Sequence, residues 1–264
     1  MTAAQRRFDI SLAAWSMHRM FFQREIDQMG MVDLCAELGI GALELVNTFF
    51  PSPQYAYLKE LRRRAEDRDV RLLLIMCDGE GSMAAPEREK RLLAANNHRK
   101  WVDIAAVLGC HSIRCNTGAR PGDGDALERC VESFSSLLEY AEASGVNVLV
   151  ENHGGLSSDP GWLVSLMRAV DSPRFGTLPD FGNFPPEVDR YDAVAMLMPF
   201  AKAVSAKCYD FGPDGEETTI DFARMLDIVI GAGYRGYVGI EYEGTRLGER
   251  EGMLAAKALL ERLQ

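Results

Sequence analysis

The sequence predicts an α/β protein folded as one closed (β/α)8 TIM barrel, a single domain over residues 1–264. Three observations carry this. Short apolar runs alternate with longer amphipathic segments from one end of the chain to the other, the pattern of parallel strands joined by helical crossovers. Eight such pairs in 264 residues match the usual size of a closed barrel. No linker rich in Pro, Gly or Ser interrupts the alternation, so nothing divides the chain.

Taken in order, strands are expected over 10–15, 42–46, 72–76, 112–115, 147–151, 176–180, 203–207 and 237–241. Amphipathic patterns predict helices over 25–38, 54–67, 86–108, 125–144, 160–170, 192–198, 221–232 and 249–263. Gly39, Gly109, Gly145 and Gly233 stand where helices hand over to strands, a position at which a left-handed backbone suits glycine. A chain that is 47% hydrophobic and 26% charged has the composition of a soluble globular protein with a sizeable core. Its 29 basic and 39 acidic residues give a net charge of −10, which argues against a nucleic-acid partner. No run approaches a membrane span. Residues 1–10 hold two arginines but no apolar core behind them, so a cytoplasmic location is expected. The six cysteines are scattered without a Cys-x-x-Cys pair, which speaks for reduced core thiols rather than structural zinc.

Three predicted strands end in acids. Val148-Leu149-Val150-Glu151-Asn152-His153-Gly154-Gly155 runs from a buried strand into a carboxylate, an amide and an imidazole. Leu178-Pro179-Asp180-Phe181-Gly182-Asn183 and Val238-Gly239-Ile240-Glu241-Tyr242-Glu243-Gly244 repeat the outline. Polar groups at the end of a buried strand are costly unless something pairs them. In a barrel of this kind such strand ends line the active mouth. Side chains alternate along a strand, so Glu151 shares a face with His153, and Glu241 with Glu243. Ser205, Lys207 and Tyr209 share another face.

Three acids converging on one mouth repel each other unless a cation neutralises them or their pKa values rise. Oxygen and nitrogen ligands without thiolates favour Mg, Mn or Co as the divalent metal, with Glu151, Asp180 and Glu241 as its ligands. A metal beside paired carboxylates suits proton abstraction next to a carbonyl: the cation stabilises an enediolate while one acid takes the proton and another returns it.

At these residues the chain resembles the xylose isomerase-like TIM-barrel superfamily, the sugar phosphate isomerase/epimerase group. The supporting segments also include Trp15-Ser16-Met17-His18, Gly41-Ala42-Leu43-Glu44 and Met76-Cys77-Asp78-Gly79-Glu80-Gly81. In the ketose 3-epimerases of that group a Glu, an Asp, a His and a Glu on strands five to eight bind the metal, and the two glutamates exchange the proton. The resemblance implies these roles for Glu151, Asp180 and Glu241. Asn183 stands where many members carry a second histidine. The strand-seven histidine is missing, and Lys207 is the residue there that faces the site. A charged ammonium has no lone pair for a metal. Either the three carboxylates hold the ion with His153 or water, or Lys207 replaces it as electrophile.

Other groups are expected near the substrate. Trp15 and His18 follow the first strand, Glu44 and Asp78 end the second and third, and Arg114 and Asn116 share a face of the fourth. Trp15 and Phe184 can stack on a sugar, whereas His98, within a long helix, is expected at the surface and His111 at the barrel's bottom. The expected activity is isomerisation or epimerisation of a small-molecule carbohydrate, with Glu151 and Glu241 as the acid/base pair and Lys207 and His153 polarising or positioning the substrate. A dehydratase or lyase acting on a keto-sugar or inosose uses the same proton abstraction. A sugar-binding barrel without catalysis, or a partner subunit, is the alternative from another class. A DNA-repair endonuclease is disfavoured by four histidines and the acidic charge. Assembly as a homo-oligomer stays open, and no membrane partner is expected.

Overall fold

The computed structural model describes residues 6–264, so the expectation for residues 1–10 falls partly outside the described residues. The strands are β1 (Asp9–Ala13), β2 (Ala42–Val46), β3 (Arg71–Cys77), β4 (Ser112–Cys115), β5 (Asn147–Glu151), β6 (Phe175–Leu178), β7 (Val204–Cys208) and β8 (Tyr237–Tyr242). They form one parallel sheet in the order β6-β5-β4-β3-β2-β1-β8-β7. The sheet curls until its edges meet, and parallel bridges Thr177–Ala201 and Asp180–Ser205 join β6 to β7. Ser205 N donates to Pro179 O at 2.9 Å and Phe181 N to Ser205 O at 3.1 Å. The sixth strand stops at Leu178 instead of continuing to residue 180, because Pro179 has no N–H to give the ladder.

Around the sheet lie α1 (His18–Gln23), α2 (Gln28–Glu37), α3 (Tyr55–Asp67), α4 (Arg88–Leu108), α5 (Ala126–Ala141), α6 (Pro160–Val170), α7 (Arg190–Leu197), α8 (Phe222–Gly231) and α9 (Glu249–Leu263). Four begin on an aspartate whose side chain accepts backbone N–H groups: Asp27, Asp159, Asp189 and Asp221. Gly39, Gly109, Gly145 and Gly233 all take positive φ, as expected from their places between elements.

Two further expectations need correcting. The predicted first strand over 10–15 ends at Ala13; the chain then turns through Ala14–Met17 into α1, a helix the periodicity did not predict. Arg24, at φ 60°, ends α1, and the Asp27 cap starts α2 afresh. Trp15 and His18 therefore sit on a turn and a helix start above the strand end. His98 is buried rather than at the surface, with 1% exposure. It lies on one stripe of α4 with Ala94, Trp101 and Ala105, the spacing of a single helical face, and its Nδ1 is 2.8 Å from Ala94 O.

Strand alternation sorts the chemistry. Leu12, Leu43, Leu45, Ile113, Val148, Val150, Ala206 and Ile240 are fully buried apolar residues of the core. The intervening positions Ser11, Glu44, Arg114, Glu151, Ser205, Lys207 and Glu241 are buried too, but polar. The polar set occupies the inside of the barrel, with its charges towards the C-terminal strand ends. No helix among the described residues is long and apolar enough to cross a membrane.

Candidate active site

Four consecutive strands deliver the acid cluster and its lysine. Glu151 is the last residue of β5, Asp180 follows β6 by two, and Lys207 and Glu241 are register partners on β7 and β8. Glu151, Asp180 and Glu241 each offer an oxygen within 4.8 Å of the others, a set that can hold a metal ion. Asn152 locks the ends of β5 and β6 together, donating to Asp180 O at 3.0 Å and accepting from Asp180 N at 2.7 Å. Asp180 Oδ1 accepts from Gly182 N and Asn183 N, both at 2.8 Å, and Oδ2 accepts from Ser205 Oγ at 2.7 Å. Ser205 Oγ also lies 3.2 Å from Glu241 Oε2, so one hydroxyl joins two of the acids.

Two buried cations of the chain itself enter this cluster. Lys207 Nζ lies 3.0 Å from Glu241 Oε1, 3.4 Å from Glu243 Oε2 and 3.9 Å from Asp180 Oδ2, and donates to Asn183 Oδ1 at 3.1 Å. Arg114 Nη1 donates to Asp78 Oδ1 at 2.8 Å and to Asn116 Oδ1 at 3.1 Å. Its Nε faces Glu151 Oε2 at 3.0 Å without the alignment of a directed hydrogen bond, so those two atoms attract as charges. Asn183 spans the halves: its Nδ2 donates to Glu151 Oε1 at 3.0 Å while its Oδ1 accepts from Lys207.

The cations do not offset all the acid. Burial first, and then repulsion from Glu241, pushes Glu151 up to about 7 against the pull of Arg114 and Lys207. Burial and the Glu151 and Glu241 charges likewise carry Asp180 up to about 7, opposed by Lys207 and the Ser205 hydroxyl. Burial penalises the Lys207 ammonium, but Asp180, Glu241, Glu151 and Glu243 outweigh it and hold the side chain protonated well above the usual lysine range. Asp78 stays below the ordinary carboxylate range despite its burial, because Arg114 and Asn116 bind its charged form.

Around the mouth, Trp15 Nε1 donates to Glu243 Oε1 at 2.5 Å. The indole stacks on His18, with centroids 5.2 Å apart, and on Phe49 at 5.7 Å. These protein contacts occupy much of the ring that was expected to stack on a sugar. His18 Nδ1 lies 2.8 Å from Trp15 O and 3.4 Å from the buried Glu249 carboxylate. His153 is exposed at the rim and is not among the acids that can share one ion. Desolvation of its ring, together with the Arg114 and Lys207 charges, lowers its pKa below the usual value.

The structure thus brings together Glu151, Asp180, Glu241, Lys207 and Asn183, with Arg114, Asp78 and Asn116 on one flank and Trp15, His18 and His153 at the rim. Glu44 is the exception. It lies inside the barrel against Gly239, two residues before Glu241, where Ser11 Oγ donates to its Oε1 at 2.6 Å and its Oε2 has no hydrogen-bond partner among the described residues. Its expected contact with a polyol is replaced by a contact with Ser11. The sequence places Ser205 on the face of Lys207 and Glu243 on that of Glu241 but gives neither a role; the structure makes Ser205 the bridge between two acids and Glu243 the shared partner of Lys207 and Trp15. Both stand two residues from a selected group on the same strand face, the one signal that marks them.

A sequence model of the family described as xylose isomerase-like TIM barrel matches residues 32–263. No functionally curated protein matches the chain. Among solved structures, a D-tagatose 3-epimerase-like protein is similar at 19% identity over 97% of this chain and 98% of its own, with a TM-score of 0.78. A 3-keto-D-glucoside 4-epimerase from E. coli is similar at 14% identity over 97% of this chain and 100% of its own, with a TM-score of 0.75. An AP endonuclease, family 2, from Brucella melitensis is similar at 23% identity over 96% of this chain and 99% of its own, with a TM-score of 0.73. At these identities the likeness is one of fold.

Proposed function

The chain belongs to the xylose isomerase-like TIM-barrel family, and from that premise we propose that it is a carbohydrate isomerase or epimerase that removes and returns a proton beside a sugar carbonyl. The observation that carries the reading is the pair of buried glutamates, Glu151 and Glu241, ending neighbouring regions of one mouth with a cation beside each. Epimerases among the fold neighbours agree with it.

The roles follow from chemistry. A base works best when its pKa lies near the working pH, and Glu151 at about 7 meets that condition. Glu151 takes the proton from the carbon next to the carbonyl, and Glu241 delivers one to the enediolate, or the reverse for the opposite epimer. The Lys207 ammonium faces the oxygen on which negative charge develops, and Asn183 fixes the spacing between the two acids. Trp15, His18, Asp78, Asn116 and His153 border the opening through which a polyol enters. Glu151, Asp180 and Glu241 carry oxygen donors of the kind a hard divalent ion such as Mg, Mn or Co takes, and such an ion would supply Lewis-acid polarisation of the carbonyl. The Lys207 ammonium stands among those oxygens, however, and no step of the proposed reaction is routed through an ion. The substrate we propose is a small carbohydrate; the acidic net charge of −10 speaks against nucleic acid.

Incubating the chain with a panel of ketoses and 3-keto-sugars in D2O tests this. Deuterium incorporation with epimer formation is the expected result. Incorporation with loss of a hydroxyl assigns the lyase outcome instead, and absence of exchange on every substrate overturns the reading in favour of a binding barrel.

A further inference from the structure

The three acids that can hold a divalent ion already have a guest. Lys207 Nζ lies within 4 Å of Glu241, Glu243 and Asp180 oxygens and is bonded to Asn183 Oδ1. Two of those carboxylates belong to the trio that would ligate an ion. The place is shaped for this side chain. Lys207 is 1% exposed, so its whole stem is enclosed. Gly182 makes room for it: a Cβ there would stand 3.0 Å from Lys207 Cγ and 2.5 Å from the Tyr209 hydroxyl. Glu243, the outermost partner, is itself held by Trp15 Nε1.

The geometry points to Lys207 as the resident cation of the cluster, with a divalent ion able to enter only when that ammonium is removed. This deepens the proposed reaction and rests on it for the catalytic role. A dication held by Asp180 and Glu241 would share oxygens with an ammonium a few ångströms away, and two like charges in one desolvated mouth exclude each other. The other acid, Glu151, is already faced by Arg114 and Asn183. An ammonium has three N–H groups, and Glu241, Asn183 and Glu243 are its three acceptors within 3.4 Å. The Glu243 contact is the longest of these, and its side chain is 29% exposed. That is the contact a substrate carbonyl oxygen replaces, so the third N–H becomes the electrophile without any ion.

Mn2+ binding to the full chain, after dialysis against a chelator, tests this by titration calorimetry and thermal melting. The expected result is no stoichiometric Mn2+ and no rise in Tm for the native protein. Lys207→Met should bind one Mn2+ per chain, at least about tenfold more tightly, with Tm rising as Mn2+ is added. If Lys207→Met does not fold, Lys207→Gln supplies a neutral head of similar reach. If neither folds, the native protein decides alone: an unmoved Tm supports the inference and tight Mn2+ binding overturns it. Native protein that binds one Mn2+, with affinity unchanged or weakened by the substitution, also overturns it. These readouts need no turnover. Deuterium exchange that occurs only with Mn2+ overturns this inference and leaves the proposed reaction standing; the expected binding pattern without exchange on any sugar does the opposite.

Discussion

The two halves of the mouth neutralise the same kind of acid in different ways. On the β4–β5 side, Arg114 stands between Glu151 and Asp78, and Asn116 braces the same aspartate with a 2.7 Å bond. On the β7–β8 side, Lys207 meets Glu241 and Glu243 with a single ammonium. A guanidinium is planar, permanently charged and spread over two partners, so it serves as a fixed counter-ion. An ammonium is a compact point charge with three donors that can be redirected to a ligand. The lesson is that one flank is built to stay as it is, while the other holds a cation whose donors are free to turn to a new partner. Asn183, bonded to both Glu151 and Lys207, makes the flanks one unit.

The largest expected effect removes one proton carrier at a time. Glu151→Gln and Glu241→Gln should each slow epimer interconversion by about 10²- to 10⁴-fold. Each variant should still wash deuterium into one epimer from the side whose glutamate remains. Exchange into both epimers at the native rate, measured by proton NMR, would break the symmetry of the pair.

Next comes the contrast between the cations. Arg114→Met leaves the buried Glu151 and the half-buried Asp78 without their charge partner, and the expected loss is about 3–5 kcal/mol by chemical denaturation. Added Mn2+ should not recover it, whereas it should recover part of the loss in Lys207→Met. Equal recovery in both variants would erase the distinction between a fixed and an exchangeable flank.

A smaller effect tests the acid below them. Burial pushes Glu44 from 4.5 up to about 7, with the Ser11 bond opposing and the Glu241 and Glu151 charges adding. The folded state therefore holds that proton more tightly than the unfolded chain does. Its contribution is complete below the unfolded value and is lost as pH rises through 7. Glu44→Gln never ionises, so its stability relative to the native chain should improve between about pH 5 and about pH 8, by roughly 2–3 kcal/mol. A stability difference that does not change with pH would show that Glu44 is not held neutral.

The smallest effect is at the rim. Trp15→Phe removes the bond to Glu243 and frees that carboxylate to compete for Lys207. The expected cost in stability is about 1 kcal/mol, with KM raised a few-fold and kcat less affected. A change confined to kcat would place Trp15 nearer the chemistry than its stacking contacts suggest.

Much of this was legible in the chain. Strand positions 42–46, 112–115 and 147–151 coincide with β2, β4 and β5, because four or five consecutive buried residues between helical segments leave little choice. The acids at strand ends were legible for the same reason: a charged residue after an apolar strand is conspicuous. Helix α1 was not, since six residues are too few to show a helical period. His98 was misplaced because its sequence neighbours Asn97, Arg99 and Lys100 are polar, whereas the buried stripe it belongs to, with Ala94, Trp101 and Ala105, is visible only at helical spacing.

By itself the sequence determined the barrel, the parallel order of its strands and the identity of Glu151, Asp180, Glu241 and Lys207 as mouth residues, since alternation along a strand is a local rule. Only the tertiary structure decided how their charges pair. Arg114 and Glu151 are 37 residues apart, and Lys207 and Glu241 are 34 apart. What joins them is barrel closure and strand register, which no short window of sequence contains. The same closure placed Glu44 against Gly239 and away from the mouth, because a side chain's depth in a barrel depends on the stagger between strands as well as on its own alternation.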